Sequence, residues 1–448
     1  MKAKHWLLIL VPLVVLVLNA CTSASTVVQD IDPLDGEAAL QLENPEIEGT
    51  PTEVNRDLEG KEVQGEGVKE GEPTPMASSE STDSLEPGER PSCEDPFEGA
   101  NIRFNPRAWE TDFCQHSVPY DEFLSGGPPR DGIPPIDAPK FETLESADAW
   151  LEDREPVIAL ELGGEARAYP LQILIWHEIV NDTLDDHPIV VTFCPLCNTA
   201  LIFTRPMIAG ELLTFGTSGN LRNSDLVMWD RQTESWWQQF SGEAIVGELT
   251  GTQLEFLPTA ILSWGDFKAK YPQSQVLSKD TGSLRNYGAN PYTGYDSVDQ
   301  SPFLFDGELD DRLPPMTRVV SLELGSQAAA YGYDRLFDEQ VIQDTLGGEA
   351  LVIFWKAGTA SAVDTSSIAE GRDVGTTGVF LRTVGDQVLT FKPGPEGSFI
   401  DEETGSTWDI LGEAIAGPLA GTVLTALPHH DTFWFAWAAF VPDGTLGE

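Results

Sequence analysis

Basic side chains are scarce in this chain: 26 Lys and Arg stand against 73 Asp and Glu in 448 residues, a formal net charge of -47. So negative a surface repels phosphate backbones and anionic headgroups, which argues against nucleic acid and anionic lipid as partners. Histidine (6) and cysteine (5) are also rare, so any two placed close together carry information. There is no serine-nucleophile motif, phosphate-binding glycine loop or paired-histidine protease motif. The signatures of the common hydrolases and nucleotide-dependent enzymes are therefore missing. Paired carboxylates cannot be singled out among so many acids.

The N-terminus sets the compartment. Lys2 and Lys4 precede an apolar run from Trp6 to Leu18, too short and wrongly flanked for a membrane span but suited to a signal peptide. It ends in Leu18-Asn19-Ala20-Cys21, which resembles a bacterial lipobox and implies cleavage before Cys21 and lipidation of its sulfur. The expected product is a lipoprotein anchored to the cell membrane through Cys21, on the extracytoplasmic face, where disulfides persist. Residues 1–20 are then the leader. Residues 21–92 are rich in Glu, Asp, Pro, Ser, Thr and Gly and poor in aromatics. Such a segment cannot bury enough apolar surface to offset its ordering entropy, and reads as a disordered acidic spacer. Residues 93–140 form a lead-in in which Cys93 and Cys114 are expected to pair as a structural disulfide.

The body contains an internal repeat. Glu161-Leu-Gly-Gly-Glu-Ala-Arg-Ala-Tyr169 is echoed by Glu323-Leu-Gly-Ser-Gln-Ala-Ala-Ala-Tyr331, and Asp230-Arg-Gln-Thr-Glu-Ser235 by Asp401-Glu-Glu-Thr-Gly-Ser406. Gly242-Glu-Ala recurs as Gly412-Glu-Ala, and Leu257-Pro258…Trp264 recurs at the same offset as Leu427-Pro428…Trp434. The expected organisation is a first repeat at 141–280, an inter-repeat segment at 281–315 and a second repeat at 316–448, built as two pseudo-symmetric β-rich lobes of a mainly β, α+β fold. Strands are expected at 157–162, 189–193, 201–203, 212–215, 226–229 and 236–240, separated by Gly, Asn, Asp and Ser turns. Helices are expected at 171–180, opened by Pro170, and at 260–270, capped by Thr259 and closed by Pro272. Asp230 to Ser235 reads as a hairpin turn. His429 and His430 read as capping or surface residues at the second copy's helix start.

Cys194-Pro-Leu-Cys197 lies between two strand-like segments and is the strongest chemical signal. Two thiols at this spacing close into a disulfide or share one metal ion. Aligning Phe193 with Phe354 places Trp355 opposite Cys194 and Gly358 opposite Cys197, so the pair does not recur, which favours function over a structural need of both copies. Four motifs, Trp176-His-Glu-Ile-Val-Asn-Asp182, Cys194-Pro-Leu-Cys-Asn-Thr-Ala200, Gly216-Thr-Ser-Gly-Asn-Leu-Arg-Asn-Ser-Asp225 and Asp230-Arg-Gln-Thr-Glu-Ser235, resemble in order the signatures of a prokaryotic family known as domain of unknown function 3179. That resemblance implies no particular activity, substrate or cofactor.

A Cys-Pro-Leu-Cys turn between strands resembles a metal knuckle more than a thioredoxin motif, whose first cysteine opens a helix. His177 is the leading third ligand, with Glu178, Asp182 and His187 behind it. Thiolate and imidazole together suit one Zn or Cu ion. The competing chemistry is thiol redox, in which His177 stabilises the attacking thiolate and a metal- or thiol-dependent oxidoreductase results. Arg222, Asn223 and Asp225 follow a Gly-rich turn and are candidates to bind a polar ligand near the cysteines, or to satisfy their own loop. Tyr287 to Tyr295 is either one wall of an inter-lobe cleft or a packed linker. The alternative function is a lipid-tethered binder of a small solute, with a purely structural disulfide at the cysteines.

Overall fold

The computed structural model describes residues 93–447; the leader, Cys21 and the 21–92 spacer lie outside the described residues. Its elements are mostly strands. A hairpin, β1 (Pro156–Leu162) and β2 (Glu165–Pro170), leads into helix α1 (Leu171–His177). A second hairpin follows, β3 (Ile179–Leu184) and β4 (His187–Cys194), then β5 (Thr199–Thr204). Next come β6 (Phe215–Arg222), β7 (Asp225–Asp230), β8 (Trp236–Gln238), β9 (Ala244–Val246), β10 (Phe256–Leu257), β11 (Ala260–Ser263), α2 (Trp264–Lys270) and β12 (Gln275–Leu277).

The same order then runs a second time. It comprises β13 (Arg318–Leu324), β14 (Gln327–Gly332), α3 (Tyr333–Glu339), β15 (Val341–Leu346), β16 (Glu349–Lys356) and β17 (Thr376–Leu381). It continues with β18 (Phe391–Pro393), β19 (Phe399–Asp401), β20 (Thr407–Trp408), β21 (Ala414–Ala416), β22 (Thr425–Ala426), β23 (His430–Phe433), α4 (Trp434–Phe440) and β24 (Thr445–Leu446). Four strands of each sheet correspond in order: β11-β1-β2-β12 with β23-β13-β14-β24, β10-β5-β4-β3 with β22-β17-β16-β15, and β6-β7-β8-β9 with β18-β19-β20-β21; in the first half Phe141–Thr143 adds a fifth strand beside β12 and Phe123–Ser125 one beside β6.

Local chemistry explains these elements. The β1–β2 turn is Gly163-Gly164, both with positive φ, which matches the right-handed twist of a two-residue hairpin. β4 is central and covered on both faces from Ile189 onward, which suits the apolar run Ile189-Val-Val191 and Phe193. Asp230 accepts from the Thr233 N–H, its hydroxyl and the Trp237 indole at 2.7–3.0 Å, fixing the expected 230–235 turn; Asp401, Thr404 and Trp408 repeat it. The 260–270 segment departs from expectation. Ala260–Ser263 pairs antiparallel with β1, and only then does Ser263 accept from the Asp266 N–H and start the helix. Pairing with a sheet edge overrides the helical pattern there. The first helix also ends sooner than expected, at Glu178, whose φ is 58°.

The cores are not confined to one half each. Val157, Leu262 and Trp264 pack with Phe354, Phe380 and Trp408, while Val191, Phe215 and Trp237 pack with Phe433, Trp434 and Trp437. β11 thus lies against β17, and β23 against β5. The lead-in carries the expected Cys93–Cys114 disulfide, Cα–Cα 5.7 Å, which staples an aromatic patch of Phe97, Phe104 and Phe113 onto Trp236.

Candidate functional site

The cysteine pair sits in the β4–β5 connection. Cys194 ends β4, where it pairs with Thr199, and Asn198 turns the chain with a φ of 58°. Both thiols are free and buried, Cys194 at 2% exposure and Cys197 at 0%. β23 from the other half clamps the turn: the Thr432 hydroxyl donates to the Cys197 carbonyl at 2.8 Å and the Phe433 N–H donates to it at 3.1 Å.

The third member arrives through the β6–β7 hairpin. Asn223 and Ser224 occupy its turn with φ of 52° and 61°, so the next residue, Asp225, opens β7 facing the cysteines. The Cys197 thiol donates to Asp225 Oδ1 at 2.8 Å, and the Cys194 thiol points to the Ser224 carbonyl at 3.8 Å. The other carboxylate oxygen accepts from Gln238 Nε2 at 2.6 Å and the Phe240 N–H at 2.9 Å. Cys194 Sγ, Cys197 Sγ and an Asp225 oxygen all lie within 4.8 Å of one another, close enough for one ion. Glu178 adds a second carboxyl, 8% exposed and without a hydrogen-bond partner among the described residues; Asp225 repels its charge. Tyr292 and Tyr295, from the inter-repeat segment, complete the surroundings.

The electrostatics are one-sided. Burial pushes the Asp225 carboxyl up to about 6, and burial followed by the Asp225 charge pushes Glu178 up to about 8. Burial also drives both thiols up, Cys197 well above its ordinary value. Among the described residues, the hydrogen-bond partners of the two thiols and Asp225 are one another, the Gln238 amide, a backbone N–H and carbonyl oxygens. None is a cation.

His177 does not join them. It ends α1, with Nδ1 2.6 Å from the Pro134 carbonyl and Nε2 2.7 Å from the Tyr287 hydroxyl. A carbonyl only accepts, so Nδ1 holds the proton and Nε2 accepts from Tyr287. Burial lowers its pKa and keeps it neutral. Both nitrogens are committed, which corrects the expectation that His177 is the third ligand or the thiolate's stabiliser. Arg222 pairs with Glu122 at 2.6 Å and donates at 3.4 Å to the oxygen of Gln238, the amide that holds Asp225, and Asn223 serves the hairpin turn; of that trio only Asp225 reaches the cysteines. Asp182 is held by Arg167 and Tyr169, and His187 leans on the Asp185 carbonyl at the surface. His429 and His430 are buried, not surface residues, because β23 rather than a helix start carries His430.

Within Tyr287 to Tyr295, Tyr292 and Tyr295 stand beside the cysteines, whereas Tyr287 does not. Tyr287 holds His177, while burial and the acids around the cysteines raise the Tyr292 phenol. In the sequence Glu178 is a weaker ligand candidate and Asp225 a candidate for a polar ligand near the cysteines; their convergence depends on a hairpin and a helix end that spacing does not reveal.

A family model described as "Protein of unknown function (DUF3179)" matches residues 130–444, and the chain belongs to that family. No curated protein and no solved structure matches it.

Proposed function

We propose that this DUF3179 member is an extracytoplasmic lipoprotein that binds one soft metal ion, Zn(II) or Cu(I), through Cys194, Cys197 and Asp225. The observation that carries the reading is the donor set itself. Two thiols and a carboxylate converge in a buried corner, a second carboxyl stands beside them, and among the described residues no cationic side chain hydrogen-bonds to any of the three donors. Buried acids of this kind are costly unless protonated or matched by a positive charge. A thiophilic ion supplies that charge and displaces the thiol protons. The lipobox-like Leu-Asn-Ala-Cys21 and the acidic spacer support the tethered location.

The thiol-redox reading has less support. A reactive thiol sits where its pKa is lowered, whereas burial raises both of these and His177 donates its proton to Pro134.

The test is the intact mass of the chain, purified without chelator under anaerobic conditions and recorded natively and then denatured. One ion released on denaturation, with both thiols free, is expected. Cys197→Ser and Asp225→Asn should each lose the ion while the protein remains folded. A folded chain that takes up neither Zn(II) nor Cu(I) sinks the reading.

A further inference from the structure

The two halves meet through two joints built from equivalent elements, and the joints are filled differently. In one, Phe240 lies in a ring stack between His430, 4.4 Å away and 9° from parallel, and Phe440, 4.6 Å away and 18° from parallel. Phe256 sets its edge against His430 at 6.0 Å.

Strand register identifies the counterparts in the other joint. β11 pairs with β1 as β23 pairs with β13, which puts Ala260 where His430 stands. β22 pairs with β17 as β10 pairs with β5, which puts Ala426 where Phe256 stands. The last residue of α2 is Lys270, where α4 ends in Phe440. The loop that presents Phe240 is one residue shorter, with Ile410-Leu411 in place of Gln239-Phe240-Ser241. The whole ring stack is therefore replaced by alanines, aliphatic side chains and one lysine.

The backbones do not close over the missing volume. A cavity of about 460 Å³ remains between β1 and β11 on one wall and β17 and β22 on the other. Small-molecule sites commonly fall in the range of about 300–1,000 Å³. Leu160, Phe380, Leu424 and Leu427 line it, and Val423, 62% exposed, stands at its edge. The charged groups that border it already have partners. Lys270 donates to Asp409 at 2.6 Å and to Glu413, and Glu161 sits beside the Tyr271 hydroxyl. Lys270 is thus not free to hold an anion, and His429, which also lines the groove, turns Nδ1 to the Leu427 carbonyl at 2.9 Å with Nε2 3.9 Å from Asp431.

We propose that this groove binds a small, neutral, planar aromatic molecule, which takes the place of the ring stack that closes the equivalent joint. The occupied joint shows the shape that such walls accept, and the paired rim shows why the ligand carries no charge. The site is separate from the cysteine corner and does not depend on the metal.

The probe is N-phenyl-1-naphthylamine, a neutral aromatic fluorophore, titrated into the full chain and into Ala426→Phe, which restores one lost ring. Saturable one-to-one enhancement is expected for the unaltered chain, with the Kd at least tenfold weaker in Ala426→Phe. Ala260→Leu narrows the facing wall and should give the same loss, so it decides the matter if the first variant fails to fold. Absence of saturable binding, or equal binding by the unaltered chain and the folded variants, overturns the proposal.

Discussion

The corner at the end of α1 exists twice, and the two versions share a backbone while differing in charge. Glu178 caps α1 with a φ of 58°, and its carbonyl accepts from the Phe193 N–H at 2.8 Å; Gln340 caps α3 with a φ of 61°, and its carbonyl accepts from the Trp355 N–H at 2.9 Å. This register also corrects the sequence alignment by one residue. Phe193 corresponds to Trp355, and Cys194 to Lys356. The left-handed cap therefore belongs to the scaffold and is no mark of function, even though such outliers often gather at active sites. What distinguishes the first corner is its chemistry. It has an acid and a thiol where the second has an amide and an ammonium, and Lys356 pairs with Asp266 at 2.5 Å. The second corner carries a built-in cation, and the first has donors for one.

The largest expected effect concerns the joints. Phe240→Ala should cost about 3–5 kcal/mol in urea unfolding, because Phe240 is buried between two rings. Leu411→Ala, beside the open groove, should cost less than about half of that; equal costs would mean that the two joints are packed alike.

The next effect is a pH dependence carried by His430, whose counterpart in the other joint is Ala260. Burial lowers the His430 pKa to about 4 from 6.5. The unfolded chain then binds more protons between these values, so stability falls as pH drops through that window and the loss is complete below about 4. At 1.36 kcal/mol per unit the loss approaches about 3 kcal/mol. His430→Phe should flatten this acid limb relative to the unaltered chain, and an unchanged slope would remove His430 from the account.

The smallest effect sharpens the comparison of corners. Glu178→Gln makes the first resemble the second and should weaken ion binding about 10–100-fold, or about 1.4–2.7 kcal/mol. Gln340→Glu should confer no ion binding on the second corner. Competition titration against a chelator reads both.

Much of the β character was legible because it is local. Gly163-Gly164, the Asp230–Ser235 turn and the apolar run of β4 each announce themselves within a few residues. β11 was misread because Ala260-Ile-Leu suits a buried helix as well as a strand, and only its pairing with β1 decides between them. The crossing of the two halves was invisible, since nothing in a strand's own residues says which half it will cover. At the site, the Cys194–Cys197 spacing was plain, but Asp225 reaches it across a hairpin, and His177 is diverted by Pro134 and Tyr287, far from it in sequence. The one-residue error at Cys194 arose because aromatic residues adjoin on both sides, Phe354 and Trp355.

The clamp on the cysteine turn comes from Thr432, 235 residues downstream of Cys197. A chain synthesised from its N-terminus presents both thiols before their covering strand exists. Contacts of such separation form late in folding. Until β23 docks, both thiols stand open to oxidation that the folded corner excludes.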